Sequence, residues 1–231
     1  MEYGAVEEAI FRARPNRFIA QVEIGGETQV CHVKNTGRCR ELLVPGAKVY
    51  LAPAQNPARK TRFDLVAVEK GPYLINMDSQ APNQVAEEYL PRLFPGLSGF
   101  RREVKWGNSR FDFALEAAGE RWFLEVKGVT LEEKGAALFP DAPTQRGLKH
   151  LEELCRCQQE GYRACVLFVV QMKGAAYFAP NRRTHPEFAE ALERAAAQGV
   201  RLEAVGCRVT PSSLTPEDPV EIRLGEAPGS L

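Results

Sequence analysis

The stretch "RFDFALEAAGERWFLEVKGV", residues 110–129, holds two apolar runs that each carry ionisable side chains. Both runs read as strands, and Ala118-Gly119 lie between them where a hairpin would turn. Successive side chains of a strand point to opposite faces. That places Glu125 and Lys127 on one face with Phe123 and Val129, and Trp122, Leu124 and Val126 on the other. In the first run Arg110, Asp112 and Ala114 share a face, while Phe111, Phe113 and Leu115 pack opposite. Paired as a hairpin, the two runs bring Asp112 close to Glu125. Lysine and glutamate are among the residues least often buried. Two neighbouring carboxylates repel, and one is pushed toward protonation unless a cation sits between them.

A divalent ion resolves that conflict. Mg²⁺ (or Mn²⁺) is held by one or two carboxylates and completes its shell with water and phosphate oxygens, so Asp112 and Glu125 are the candidate metal ligands. Lys127 is placed to orient or help deprotonate an attacking water and to stabilise charge developing on phosphorus. An acid followed about a dozen residues later by acid-x-lysine is the pattern of the PD-(D/E)XK nuclease superfamily. The plainer alternative is an ion pair at a strand edge with Asp112 capping a turn, an arrangement that contributes about 0–1 kcal/mol.

Other groups are candidates to join the site. Glu103, in "RREVKWG", shares a face with Lys105 and offers a further catalytic acid. On the following helix Arg146 and His150 are four apart and lie on one stripe with Cys157, while Leu148, Leu151 and Cys155 form another stripe that would face the core. Arg146 and His150 are therefore expected to look toward phosphate.

Working outward, residues 1–82 read as a small all-β domain. "RFIAQVEI" and "TQVCHVK" alternate and are joined across Gly25-Gly26; "AKVYLAPA", "RFDLVAVEK" and "YLINM" follow, separated by Pro45-Gly46 and Asn56-Pro57. Five short strands with such turns suggest an OB-like barrel. From residue 83 the pattern changes. "NQVAEEYLPRL" predicts a helix with Asn83 as its N-cap. Three strands, a helix from about Thr144 to Glu160, the buried strand "RACVLFVVQM", the helix "HPEFAEALERAAAQG" and the strand "VRLEAVGCRV" complete residues 83–231. The order α-β-β-β-α-β-α-β implies a mixed sheet flanked by helices, in a restriction-endonuclease-like domain.

The totals exclude little. With 30 basic and 30 acidic residues the net charge is zero, yet between Arg12 and Arg62 ten basic residues face three acids. A local excess of that kind fits a phosphate backbone, so DNA, or RNA, is the expected partner. No apolar run approaches the roughly 18 residues that a membrane helix needs, and the N-terminus has acids where a secretory signal would be basic. A cytoplasmic protein is expected, with nucleoid association as one option. The six cysteines form no C-x-x-C pair and read as reduced structural thiols.

Over nearly its full length the chain resembles the sugar fermentation stimulation protein A family. The matching stretches are "KNTGRCRELLVPG" (34–46), "REVKWGNSRFDF" (102–113), "LEVKGVTL" (124–131) and "LFPDAPTQRGLKHLEEL" (138–154). The resemblance implies an OB-like N-terminal domain, a nuclease-like C-terminal domain, nonspecific DNA binding and a regulatory role in sugar (maltose) utilisation. Asp112, Glu125 and Lys127 match the nuclease-like triad; Glu103, Arg110, Asp141, Arg146 and His150 match other polar motif positions. Asn35, Thr36, Gly37 and Arg38 match the N-terminal signature, which with Arg40, Arg110, Arg146 and His150 makes up the expected DNA-contacting set. Cys39 stands where a larger apolar residue such as methionine is expected. Two readings stay open: a DNA-binding protein with a Mg²⁺-dependent phosphodiesterase site, or a regulator that keeps the nuclease fold without cutting. The oligomeric state is open as well, a dimer included.

Overall fold

A computed structural model describes residues 1–35, 37–54, 56 and 58–225. The first six strands are β1 (Glu7–Asn16), β2 (Ile19–Ile24), β3 (Glu27–Val33), β4 (Lys48–Pro53), β5 (Phe63–Lys70) and β6 (Tyr73–Asn76). β1 pairs with both β2 and β4, β2 with β3, and β4 with β5, all antiparallel. A short parallel contact, His32↔Asp64 and Val33↔Leu65, joins β3 to β5 and closes the barrel. The closed circuit β1-β2-β3-β5-β4 is the OB-like barrel, and β6 hangs from β5. Its interior is filled by Phe11, Val22, Val49, Leu51 and Leu65. β1 corrects the sequence reading, which began the barrel at residue 17. Its alternation is broken by register shifts after Phe11 and Ala13 that bend it to serve two neighbours, so the strand does not show as a clean period of two.

The second half begins with α1 (Ala81–Leu93). Its first residue precedes Asn83, so Asn83 is not the N-cap; the N-cap is Gln80, and Pro82 sits in the first turn, where its missing N–H is harmless. Strands β7 (Leu97–Trp106), β8 (Ser109–Ala117) and β9 (Glu120–Val129) form an antiparallel meander. Then come β10 (Leu131–Glu133), β11 (Ala136–Phe139), α2 (Gln145–Gln159), β12 (Arg163–Val170), β13 (Tyr177–Pro180), α3 (Pro186–Ala197), β14 (Arg201–Thr210) and β15 (Ser213–Pro219). The main sheet has the order β15-β14-β12-β9-β8-β7, with β12 parallel to both β9 and β14. A small sheet, β10-β11-β13, was not foreseen; its strands of three or four residues are too short to show a period.

α1 covers one face of the main sheet through Val85, Ala86, Tyr89, Leu90 and Leu93, packed on Phe113, Leu115, Leu124 and Val126. α2 and α3 cover the other face, with Leu151, Leu154, Phe188 and Leu192 against Phe111, Phe123, Val166 and Phe168. Thr144 caps α2 by accepting the Gly147 N–H at 3.0 Å. The helix is rotated relative to the expected stripes. Gly147, His150, Leu151, Leu154 and Cys157 face inward, while Leu148 and Cys155 are only partly covered. The i, i+3, i+4, i+7 stripe therefore runs through the histidine, and His150 belongs to the buried side. Gln171, just after β12, ties the halves together: its amide nitrogen donates to the Asn76 side chain (2.9 Å) and to the Asp78 carbonyl (3.1 Å).

Candidate functional site

The ladder between β8 and β9 runs from Ala117↔Glu120 to Phe113↔Leu124 and stops there. At the next position the Asp112 carboxylate takes over the pairing, accepting the Val126 N–H through Oδ2 at 2.8 Å. The alternation slips at the same place. Phe111 packs on the α2 side and Phe113 on the α1 side, so the expectation that they share a face is corrected. A side chain substituting for a backbone acceptor is what parts the strands, while β12 holds β9 from the other side through Val166↔Glu125. The second Asp112 oxygen, Oδ1, accepts from the Asn83 amide at 2.9 Å. Sequence reasoning missed this role for Asn83 because an asparagine near a helix start reads first as a cap.

Glu125 is 3% exposed. Its Oε1 accepts from the Lys127 ammonium at 2.6 Å and from His150 Nδ1. An ionised carboxylate can only accept, so Nδ1 carries the proton, and Nε2 is left to accept from Arg146 Nε at 3.5 Å. The other oxygen, Oε2, is buried and has no hydrogen-bond partner among the described residues. Burial and then the nearby Glu125 charge push the Asp112 carboxyl above the usual range. For Glu125, burial acts upward, but Lys127 and His150 outweigh it and hold the carboxyl below the usual range. Two carboxyls whose surroundings separate their proton affinities are a hallmark of reactive sites.

The remaining candidates are placed as follows. Glu103 lies opposite Asp112 in register but has a left-handed backbone, φ 54°, and its carboxylate turns to Arg110 at 3.4 Å, both side chains well exposed. Arg146 is exposed at the start of α2. His150 is buried and engaged by Glu125, so the expectation that it meets phosphate directly is corrected. Thr36 lies outside the described residues. Asn35 bends the signature loop by accepting the Gly37 N–H at 2.8 Å. Arg14 fixes that loop by donating to the carbonyls of Asn35, Gly37 and Arg38. Arg38 and Arg40 are exposed, and with Arg14 and Arg17 they line a cavity of about 500 Å³. That cavity shares Gly37 and Ala142 with a second, of about 340 Å³, bordered by Asn35, Asp141, Thr144, Gln171 and Gly128, the residue after Lys127. A basic surface on the barrel thus leads to the end of β9. Among the described residues no three His, Cys, Asp or Glu side chains gather as a ready-made metal cage.

Two family models match in series. The one described as "SfsA N-terminal OB domain" matches residues 13–77, and the one described as "Sugar fermentation stimulation protein RE domain" matches residues 80–213. The chain belongs to the sugar fermentation stimulation protein family. A family member from Ruminiclostridium cellulolyticum, named "Sugar fermentation stimulation protein homolog", is 51% identical over 97% of this chain and 100% of its own. Another of the same name, from Desulfitobacterium hafniense, is 53% identical over 98% of this chain and 100% of its own. A solved family structure, "The structure of Pyrococcus Furiosus SfsA in complex with Ca2+", superposes with a TM-score of 0.85 at 29% identity, covering 96% of this chain and 98% of that one.

Proposed function

We propose that this protein binds nucleic acid and hydrolyses phosphodiester bonds with a divalent cation at Asp112 and Glu125. The observation that carries the reading is the buried, partnerless Oε2 of Glu125 beside a second carboxyl of raised proton affinity. A buried acceptor without a partner is destabilising by about 1–3 kcal/mol, and a cation is the group that would relieve both features together. Two carboxylates without a third protein ligand suit Mg²⁺ or Mn²⁺, which keep water and phosphate oxygens in their shell. The calcium named for the Pyrococcus furiosus relative is a hard cation of the same oxygen-seeking kind. A bound ion would polarise the phosphoryl oxygen and stabilise the charge that builds there.

The chain's own groups then have defined tasks. Asn83 and the Val126 N–H fix Asp112 in one orientation. His150 holds Oε1 of Glu125 and so fixes the carboxylate's orientation, leaving Oε2 without a partner among the described residues. Lys127 exchanges its contact with Glu125 for the attacking water or the phosphate oxygens, where an ammonium in a partly dry site is worth more than in bulk water. The Arg17, Arg38 and Arg40 side chains on the barrel side supply grip on the backbone without reading sequence. The link to sugar fermentation comes from the relatives' name.

The test is incubation of purified protein with single- and double-stranded DNA and RNA, with Mg²⁺ or Mn²⁺, beside Lys127→Ala. Metal-dependent cleavage lost in the variant supports the reading. Gel retardation with no cleavage in any metal refutes catalysis and leaves a binding protein that keeps the nuclease fold.

A further inference from the structure

Among the described residues, 12 of the 21 arginines pair with a carboxylate; of the nine that do not, Arg14, Arg17, Arg38 and Arg40 ring one cavity. It is the cavity of about 500 Å³ on the barrel, completed by the apolar Leu43 and Ala142, and no acid lines it. Arg14 is the hub. Its guanidinium donates at 2.7 Å to the carbonyl of Arg17 and at 2.7 Å to that of Arg38, so these two residues spring from one point. Bonded to carbonyls alone, Arg14 adds a charge that no carboxylate offsets. Arg17, Arg38 and Arg40 are exposed, and the Arg17 side chain meets the Phe18 ring at 5.7 Å and no acid. Asp141, the one acid of the adjoining cavity, stands beyond Gly37 and bounds the cationic region.

Cations spread along a groove would follow a chain of phosphates. These instead converge from a common hub on one cavity, an arrangement that suits a single, highly charged anion. Four guanidiniums repel one another, and an internal phosphodiester brings only one negative charge to offset them. A terminal phosphate monoester carries about −1.5 to −2 at pH 7 and presents three free oxygens. Arginine forks take such oxygens with charge-assisted hydrogen bonds, which are stronger where Leu43 and Ala142 keep water away. The cavity also leads toward the candidate site: past Gly37 and Ala142 it adjoins the cavity that reaches Gly128, next to Lys127. We infer that the four-arginine cavity binds the terminal phosphate of a nucleic-acid strand, holding the strand by its end on the barrel side of the Asp112–Glu125 site. The inference rests on the nucleic-acid half of the proposed function and sharpens the grip given there to Arg17, Arg38 and Arg40.

Binding of the full chain is measured by fluorescence anisotropy in EDTA, so that no strand is cut. The probes are one single-stranded DNA sequence with a 5′-phosphate, with a 3′-phosphate, and with hydroxyl ends, each labelled at an unmodified end. A hydroxyl-ended strand about two nucleotides longer matches the added charge. A phosphate at one of the two ends is expected to tighten binding at least about tenfold over both hydroxyl-ended strands. Inorganic phosphate is expected to compete with that probe more strongly than with the others. Arg38→Gln/Arg40→Gln is expected to cut the preference to about twofold or less, while Arg208→Gln, on β14, keeps it; thermal melts check that the variants fold. Equal affinity for every strand, or a preference that survives the double substitution, overturns the inference. Competition by inorganic phosphate without any end preference assigns the cavity to a free anion and overturns it as well. Equal affinity leaves nonspecific nucleic-acid binding intact, whereas failure of every strand to bind sinks that reading together with the inference. Cleavage is scored separately with metal, so none of these results bears on Asp112 and Glu125.

Discussion

Removing the Lys127 charge while keeping its shape, as in Lys127→Met, strips Glu125 of its 2.6 Å ammonium partner inside a site where the carboxylate is 3% exposed. Two outcomes compete. Left ionised, Glu125 is a buried charge missing its main counterion, which destabilises by about 3–5 kcal/mol. Alternatively it takes up a proton. At pH 7 that means protonating a carboxyl of ordinary pKa 4.5 about 2.5 pH units above its midpoint, on the order of 3 kcal/mol. The cheaper route sets the ceiling, so the variant should lose about 3 kcal/mol at pH 7. At pH 5.5 protonation is only about one unit uphill, and the loss shrinks to the order of 1 kcal/mol. The sign follows from linkage. In the wild type the folded carboxyl sits below its unfolded value of 4.5 and is ionised at both pH values. In the variant the buried, protonated carboxyl has a raised folded value, so the variant loses stability as pH rises above 4.5 and the gap to the wild type widens. Urea unfolding in EDTA at both pH values, with Glu125→Gln and the double variant alongside, measures it. The double variant should recover most of the loss, because the neutral amide no longer needs the ammonium. A deficit that does not change with pH, or one that the second substitution leaves in place, would refute the account of Glu125 as a carboxylate held ionised by Lys127.

Three other outcomes are expected. Gly128→Ala would bring a methyl to 2.5 Å from Gln171 Oε1 and 2.6 Å from Pro82 Cγ; since the Gln171 amide is tied to Asn76 and Asp78, it cannot swing aside, and denaturant unfolding should show a loss of about 1–3 kcal/mol. Arg14→Ala frees four backbone carbonyls, those of Arg17, Asn35, Gly37 and Arg38, and should lower stability by about 2 kcal/mol and weaken gel retardation of DNA through a loosened signature loop. In a thiol titration of the native protein near pH 8, Cys155 should react first. Burial pushes Cys31, Cys39, Cys157 and Cys207 up to about 12, Cys165 is pushed up as well, and these five are closed to reagent, so they should react only after unfolding, bringing the total to six.

Strand alternation made Asp112, Glu125 and Lys127 legible as one group, and the hairpin turn at Ala118-Gly119 gave their register. Where a residue breaks its own element, the periodic reading failed. Asp112 accepts a backbone N–H and shifts Phe111 to the opposite face from Phe113, which no period of two can show. β1 was hidden for the same reason, since its bulges erase the alternation that would have marked it. On α2 the apolar residues Leu148, Leu151 and Cys155 suggested one inward stripe, but His150 and Cys157 take that side because Glu125 supplies the histidine with a buried partner. A polar residue counted as outward by type is inward when its hydrogen bond waits there. Asn83 illustrates the reverse case, a good cap residue drawn from the cap by a carboxylate on a distant strand.

The energetics of the cluster bear on what it is for. Two carboxyls, a lysine and a histidine share the space between β8, β9 and α2, and one oxygen of Glu125 stays without a partner among the described residues. Apolar side chains of similar volume at these positions would be as stable or more so, because desolvating such a group offsets much of what its ion pairs return. A surface for gripping DNA needs cations, and the arginines beside Gly37 and Ala142 already provide them. It needs no acids, and placing two near a phosphate chain works against binding. The carboxylates are therefore unfavourable both for the fold and for simple adhesion to a polyanion. If Asp112 and Glu125 hold a cation, as proposed, it would offset the repulsion between them and favour a nearby phosphate chain.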